Sequence, residues 1–251
     1  MKKTLFALAA LLLLAGCSNK EENHGDTNTH ITGTVKGFKK GRLFLTRIND
    51  TAAVVLDTII IDGTSSFETH LKLDSPEMLY LVIDRVSSNS VDDNLRFFAE
   101  PGNIKIQTSL EGFFSNAKIT GSKNQEVYET YLAQRKRIND KNLDLVKDEF
   151  DARSKKNSAA MIDSIQQKKK RITARLYLDT ANFAVNNGKY EVAPYLAVTE
   201  IANINIKYLD TIQKRLTPQV SKSLYGKQLT KLIARRKKEE ATAPVVVPAA
   251  K

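Results

Sequence analysis

The sequence holds one cysteine, Cys17, in 251 residues. No disulfide can close within the chain, no Cys-x-x-Cys dithiol exists, and a cluster of thiolate metal ligands is excluded. Histidine is nearly as scarce. His24, His30 and His70 are the only three, and no H-x-x-x-H or H-E-x-x-H spacing puts two of them on one helical face. We therefore expect no metal site and no cofactor. Asp92-Asp93 lacks the D-x-D-x-D-G frame of a calcium loop. There is no G-x-S-x-G elbow, glycine-rich phosphate loop or nucleotide fingerprint, so the reading is of a non-enzymatic chain. After Ala15 no apolar run approaches the roughly 20 residues that a bilayer core of about 30 Å requires.

What is present begins at the N-terminus. Met1-Lys2-Lys3 is cationic and Leu5 to Ala15 is apolar, the form of an export signal. The small residues Ala15 and Gly16 in front of Cys17 resemble a bacterial lipobox. The resemblance implies a signal peptide over residues 1–16, diacylglycerol on the Cys17 thiol and acylation of the freed amine. The chain would then hold to a membrane, the outer membrane in this reading, through Cys17. Residues 17–29 are polar and aperiodic, a disordered tether. Its twelve residues from Ser18 reach at most about 40 Å extended and typically about 20 Å as a coil. Lys20-Glu21-Glu22 resembles a surface-export signal of Bacteroidetes lipoproteins, so either the periplasmic face or the cell surface fits.

The net charge is +11 and falls to +9 without Lys2 and Lys3. In an exported protein that excess points to anionic envelope surfaces rather than to nucleic acid, and no interleaved aromatic platform argues otherwise. The cations gather in Arg135-Lys136-Arg137, Lys168-Lys169-Lys170-Arg171 and Arg235-Arg236-Lys237-Lys238. The second run is a candidate anion-contacting patch. Such runs also serve as solvated helix faces, and helix pairing would set Lys170 roughly level with Asp140.

From His30 the apolar period is two. Eight short strands are expected: Ile31–Val35, Arg42–Ile48, Ala53–Ile61, Ser66–Leu73, Met78–Ile83, Leu95–Ala99, Ile104–Thr108 and Ala117–Thr120. The second is expected to partner the first, and Asp62-Gly63 to turn a hairpin between the third and fourth. Residues 30–121 thus read as an antiparallel β-sandwich or open barrel. After Gly121 the period changes. Ser122 caps a long helix, with Gln125 as its capping-box partner, and a second helix runs from about Ser158 to Val185 as an antiparallel hairpin. Shorter helices follow near Pro194, after Thr217-Pro218, and to about Lys238. The fold class is α+β, with a helical region over 122–238 and a flexible tail over 239–251.

The order of motifs carries a wider resemblance. The lipobox and tether precede Ile31-Thr32-Gly33-Thr34-Val35, then Phe98-Ala99-Glu100-Pro101-Gly102-Asn103, Thr120-Gly121-Ser122-Lys123-Asn124, a charged helical pair and Ser223-Leu224-Tyr225-Gly226-Lys227. From Ile31 to about Ile233 this resembles the N-terminal domain of unknown function that precedes thioredoxin-like domains in Bacteroidetes lipoproteins. Those proteins continue into a Cys-x-x-Cys fold where this chain stops at Lys251. Their thiol–disulfide activity is therefore not carried over. The expected role is a binding or interaction module for an unidentified envelope protein or ligand. The alternative is an accessory factor of an envelope thiol–disulfide system with no redox centre of its own. Five Asp–Ser/Thr–apolar triplets, more than composition predicts, resemble the O-glycosylation acceptor of Bacteroidetes. Thr51, in a turn, ranks first among them, and Thr211 second; Thr58, Ser164 and Thr180 lie in expected strand or helix.

Overall fold

The computed structural model describes residues 25–49, 52–85, 90–155 and 159–242. Cys17, His24, the signal segment, Thr51 and residues 243–251 lie outside them. Eight strands come first: β1 (Thr29–Lys36), β2 (Lys40–Asn49), β3 (Ala52–Asp62), β4 (Ser66–Leu71), β5 (Glu77–Ile83), β6 (Asn94–Ala99), β7 (Gly102–Ser109) and β8 (Lys118–Thr120). They form two four-stranded sheets, ordered β4-β1-β7-β8 and β3-β2-β5-β6. All pairings are antiparallel except β1 with β7. The alternation of β1 drives Ile31 and Val35 inward to meet Leu43 and Leu45 of β2 and Leu79 and Leu81 of β5 in one shared core. Gly33 lies on that inward side, where a Cβ would stand 2.3 Å from the Phe67 ring.

Two expected pairings are corrected. β1 and β2 lie in opposite sheets, and so do β3 and β4. A period of two states which face of a strand is buried, not whether its sequence neighbour lies beside it or across the core. Here the Asp62-Gly63 turn carries the chain between sheets. The Gly63 amide donates to the Lys39 carbonyl and the Val35 amide to the Ser65 carbonyl, each at 2.8 Å, so the two crossings close one end of the sandwich.

The helices are α1 (Lys123–Ser154), α2 (Ala159–Asn186), α3 (Val192–Thr199), α4 (Ile206–Arg215), α5 (Pro218–Lys222) and α6 (Leu224–Thr242). They pack on the β5-β6 side of the outer face of the β3-β2-β5-β6 sheet, which is why β5 reads EMLYLVI without clean alternation, while Ile48 of β2 and Ile60 of β3 stay exposed. Leu79, Leu81 and Ile83 enter the sandwich, while Met78 and Tyr80 face the helices. Ser122 caps α1 as expected, accepting from the Gln125 amide at 3.0 Å. The Gln125 side chain does not complete a capping box. Its oxygen accepts the Phe98 amide at 2.8 Å and its nitrogen donates to Glu129. β6 ends its sheet, so the Phe98 N–H has no strand to bond and the glutamine satisfies it. Met78 is the matching case. The β2–β5 ladder stops at Arg47 opposite Leu79, and the Met78 amide donates to the Tyr225 hydroxyl at 2.9 Å.

Thr217 and Pro218 open α5 as expected, with the Thr217 hydroxyl accepting from Val220. The helix over Ile206–Arg215, capped by Asn205 and burying Leu209 and Ile212, was not anticipated. α6 also runs past Lys238, because Glu239 and Glu240 pair back one turn with Arg235 and Arg236.

α1 and α2 form the expected hairpin. At 1.5 Å per residue α1 spans about 48 Å, yet it buries Asn124, Gln125, Tyr128 and Tyr131 near its start and then only Ala152. The far end is held by charge. Glu149 accepts from Lys169 (2.9 Å), Arg153 (2.7 Å) and Gln166 (3.4 Å), and these contacts lower its pKa from 4.5 to about 2. A carboxylate lowered on folding stabilises fully above its unfolded pKa and loses that contribution as pH falls through the folded value. Amide exchange near the α1–α2 junction should therefore quicken between about pH 5 and about pH 2. Glu149→Gln should flatten that dependence. An identical pH profile in the variant would show that the tie does not act.

Candidate functional site

Where α6 and α3 overlie the β3-β2-β5-β6 sheet, a cleft of about 880 Å³ opens. Met78 and Tyr80 of β5, Tyr195 of α3 and Tyr225 of α6 line it, with Val198, Leu224 and Leu232 adding apolar wall. The floor is rigid. The Tyr195 and Tyr225 rings meet edge to face at 5.0 Å, and Phe98 behind them contacts Tyr128, Tyr195 and Tyr225 at 5.7, 5.1 and 6.1 Å. Burial raises the pKa of both Tyr195 and Tyr225, so their hydroxyls stay neutral.

The wall has one sign of charge. Lys227, Lys231 and Arg235 recur every four residues along one face of α6, are exposed, and all line the cleft. No acidic side chain lines it among the described residues. Arg235 also pairs with Glu239 at 3.6 Å, an exposed contact of little strength. The arrangement suits a ligand with an apolar or ring-bearing body and an anionic group. In the sequence, Tyr225 and Lys227 stand in the Ser223-Leu224-Tyr225-Gly226-Lys227 motif, whereas Tyr195 and Lys231 are distinguished by nothing beyond their place in expected helices. The signal available in the sequence is the four-residue recurrence of cations, Lys227, Lys231 and Arg235, rather than the run at 235–238.

A second groove, of about 710 Å³, lies between α1 and α2. Its lining mixes signs: Arg135 is engaged by Glu200 and Tyr131, and Asp179 lies in the groove beside Arg175. A third concavity of about 620 Å³ contains Glu100 and Glu191. Burial raises the Glu191 pKa, but this pair serves the architecture. Glu100 accepts the amides of Lys123 and Asn124 at the start of α1, and the Asn124 side chain bridges Glu100 (2.8 Å), Glu191 (3.1 Å) and the Val192 amide (3.2 Å). The phrase Phe98-Ala99-Glu100-Pro101-Gly102 is thus a strand end, a turn and a helix cap together. Gly121 completes the joint at φ +93°, where a Cβ would stand 2.0 Å from the Asn103 carbonyl oxygen.

The remaining sequence candidates fall as follows. Lys168, Lys170 and Arg171 are exposed on α2, whereas Lys169 is half-buried against Glu149. Four consecutive helical residues point around most of a turn, so the run presents no single four-charge patch. The cross-helix pair is Lys169–Glu149, and Asp140 pairs with Lys136 of its own helix. Thr211 is exposed on α4, its hydroxyl donating to the Lys207 carbonyl at 2.7 Å. Ser164 and Thr58 are also exposed, and Thr180 is buried. Asp92 accepts the amides of Phe113, Phe114 and Ser115 and so orders a turn. His30, Glu68 and His70, which no spacing rule joined, come together on the outer face of the β4-β1-β7-β8 sheet and offer three ligand atoms within 4.8 Å of one another. The signal was E-x-H on one strand with a histidine on another, legible only once β1 and β4 are paired.

No helix among the described residues is long and apolar enough to cross a membrane. No curated protein and no solved structure matches the chain. Residues 29–128 match a family described as a domain of unknown function, DUF4369. That match begins with β1 and ends at Tyr128, taking in the buried start of α1 that Gln125 and Glu100 tie to the sheet. Residues 1–18 match the prokaryotic membrane lipoprotein lipid attachment site, which makes the chain a lipid-anchored membrane protein with a DUF4369-like, strand-rich N-terminal half.

Proposed function

We propose that the protein is a non-catalytic binding module of the cell envelope, held at the outer membrane by acyl chains on Cys17. Its ligand is an amphiphilic anion received in the cleft between the β3-β2-β5-β6 sheet and α6. The observation that carries this reading is the conjunction of Lys227, Lys231 and Arg235 in one helical row with a floor of Met78, Tyr80, Tyr195 and Tyr225. Apolar floor and cationic rim recognise the two ends of such a molecule, and the neutral, interlocked tyrosines favour orientation over proton transfer.

A dansylated fatty acid is a suitable probe. The combined change Lys227→Glu, Lys231→Glu, Arg235→Glu should weaken its binding at least about tenfold, equivalent to about 1.4 kcal/mol. Tyr80→Ala should act in the same direction. The matched reversal on α2, Lys168→Glu, Lys170→Glu, Arg171→Glu, should leave binding unchanged. Binding that survives the α6 reversal, or that is lost only with the α2 reversal, would overturn the assignment.

A further inference from the structure

We propose that His30, Glu68 and His70 form a binding site for a first-row divalent cation of the zinc class, a clip that joins β1 to β4. In the antiparallel register His30 lies directly opposite His70, and Glu68 lies opposite Thr32, two residues from His70 on the same outward face. The imidazoles stack with centroids 4.3 Å apart and planes within 6°. Both present Nε2 to one carboxylate oxygen, Glu68 Oε1, at 2.6 Å from His30 and 3.5 Å from His70.

Two imidazoles and a carboxylate are the donor set of three-ligand zinc sites that leave further positions to water. With metal–ligand bonds of about 2.0–2.2 Å, tetrahedral donors stand about 3.4 Å from one another. The observed separations, from 2.6 Å up to the 4.8 Å bound, bracket that value. Seating a cation requires side-chain rotation only. Glu68 is 56% exposed and His30 34%, so these two can turn toward a cation, while His70, 18% exposed and stacked on His30, stays in place. The carboxylate that now lies between two Nε2 atoms would share the cation with them. His30 is the second residue of β1, so the clip would fasten the first strand of the fold at its start.

The test uses the acylated protein, untagged, in detergent. His24→Ala is introduced throughout, because it removes the only other histidine. Zinc is titrated against a chromophoric chelator, and Co²⁺ binding is followed in the visible spectrum. One equivalent of zinc should bind. His30→Ala and His70→Ala should each weaken it at least about tenfold, and Glu68→Gln should abolish the Co²⁺ spectrum of the wild-type site. Thr32→His adds an imidazole opposite Glu68 on the same outward face and should tighten binding, a gain that misfolding cannot mimic. Equal zinc binding by wild type and the His30→Ala, His70→Ala double variant would overturn the site, as would no tightening in Thr32→His.

Discussion

Phe98→Ala should destabilise the protein by about 3–5 kcal/mol, the range for deleting a fully buried ring. Phe98 has no exposed surface and stands at the centre of the layer where sheet meets helices, with Tyr128, Tyr195 and Tyr225 packed edge-on around it. Removing its ring opens a cavity that three other rings border and none can fill without leaving its own contacts. The damage should spread to the cleft, since Tyr195 and Tyr225 form its floor. Urea unfolding of the variant should show a lowered midpoint together with weakened probe binding. Val91→Ala, at a position 87% exposed, should change the midpoint little. A Phe98→Ala midpoint close to wild type would mean that the helices are not held to the sheet through this layer.

The second large effect is loss of the anchor. Cys17→Ser removes the only thiol in the chain, and with it the acceptor for diacylglycerol. Each buried methylene contributes about 0.8 kcal/mol to membrane binding, so two or more acyl chains hold a protein stably where none leaves it free. No described helix can substitute, because none is apolar and long enough to cross a bilayer. The variant should accumulate as uncleaved precursor or as soluble protein. Mature-length Cys17→Ser protein that still partitions into the detergent phase would contradict the lipid-anchor assignment.

Much of the fold was legible because it rests on local periodicity. Most strands follow from period-two alternation and β5 from its apolar run, while Ser122, Thr217 and Pro218 mark helix starts by chemistry that acts within four residues. What escaped depends on contacts distant in sequence. Nothing local says that β1 and β2 face one another across a core, or that β1 runs parallel to β7. Gln125 has the right spacing for a capping box, yet the open edge of β6 competes for its oxygen and wins. The helix over Ile206–Arg215 carries a legible local signal, an Asn205 cap with Ile206, Leu209 and Ile212 three residues apart, but only ten residues over which to show it.

The candidate sites divide in the same way. The α2 cations were conspicuous as a run, but adjacency in sequence scatters charge around a helix, whereas the four-residue spacing of Lys227, Lys231 and Arg235 gathers it. The tyrosine floor could not be assembled without knowing which face of β5 the helices cover. His30 and His70 are forty residues apart and meet only through strand register.

The most direct test of the cleft as the seat of function is to ask what it already holds. Mature protein isolated from its own envelope, in wild-type form and with Lys227, Lys231 and Arg235 all changed to Glu, would be extracted and the extracts compared by mass spectrometry. An amphiphilic anion, near one per chain, is expected in the wild-type extract, with its depletion from the variant. The same molecules in equal amount from both proteins would contradict it.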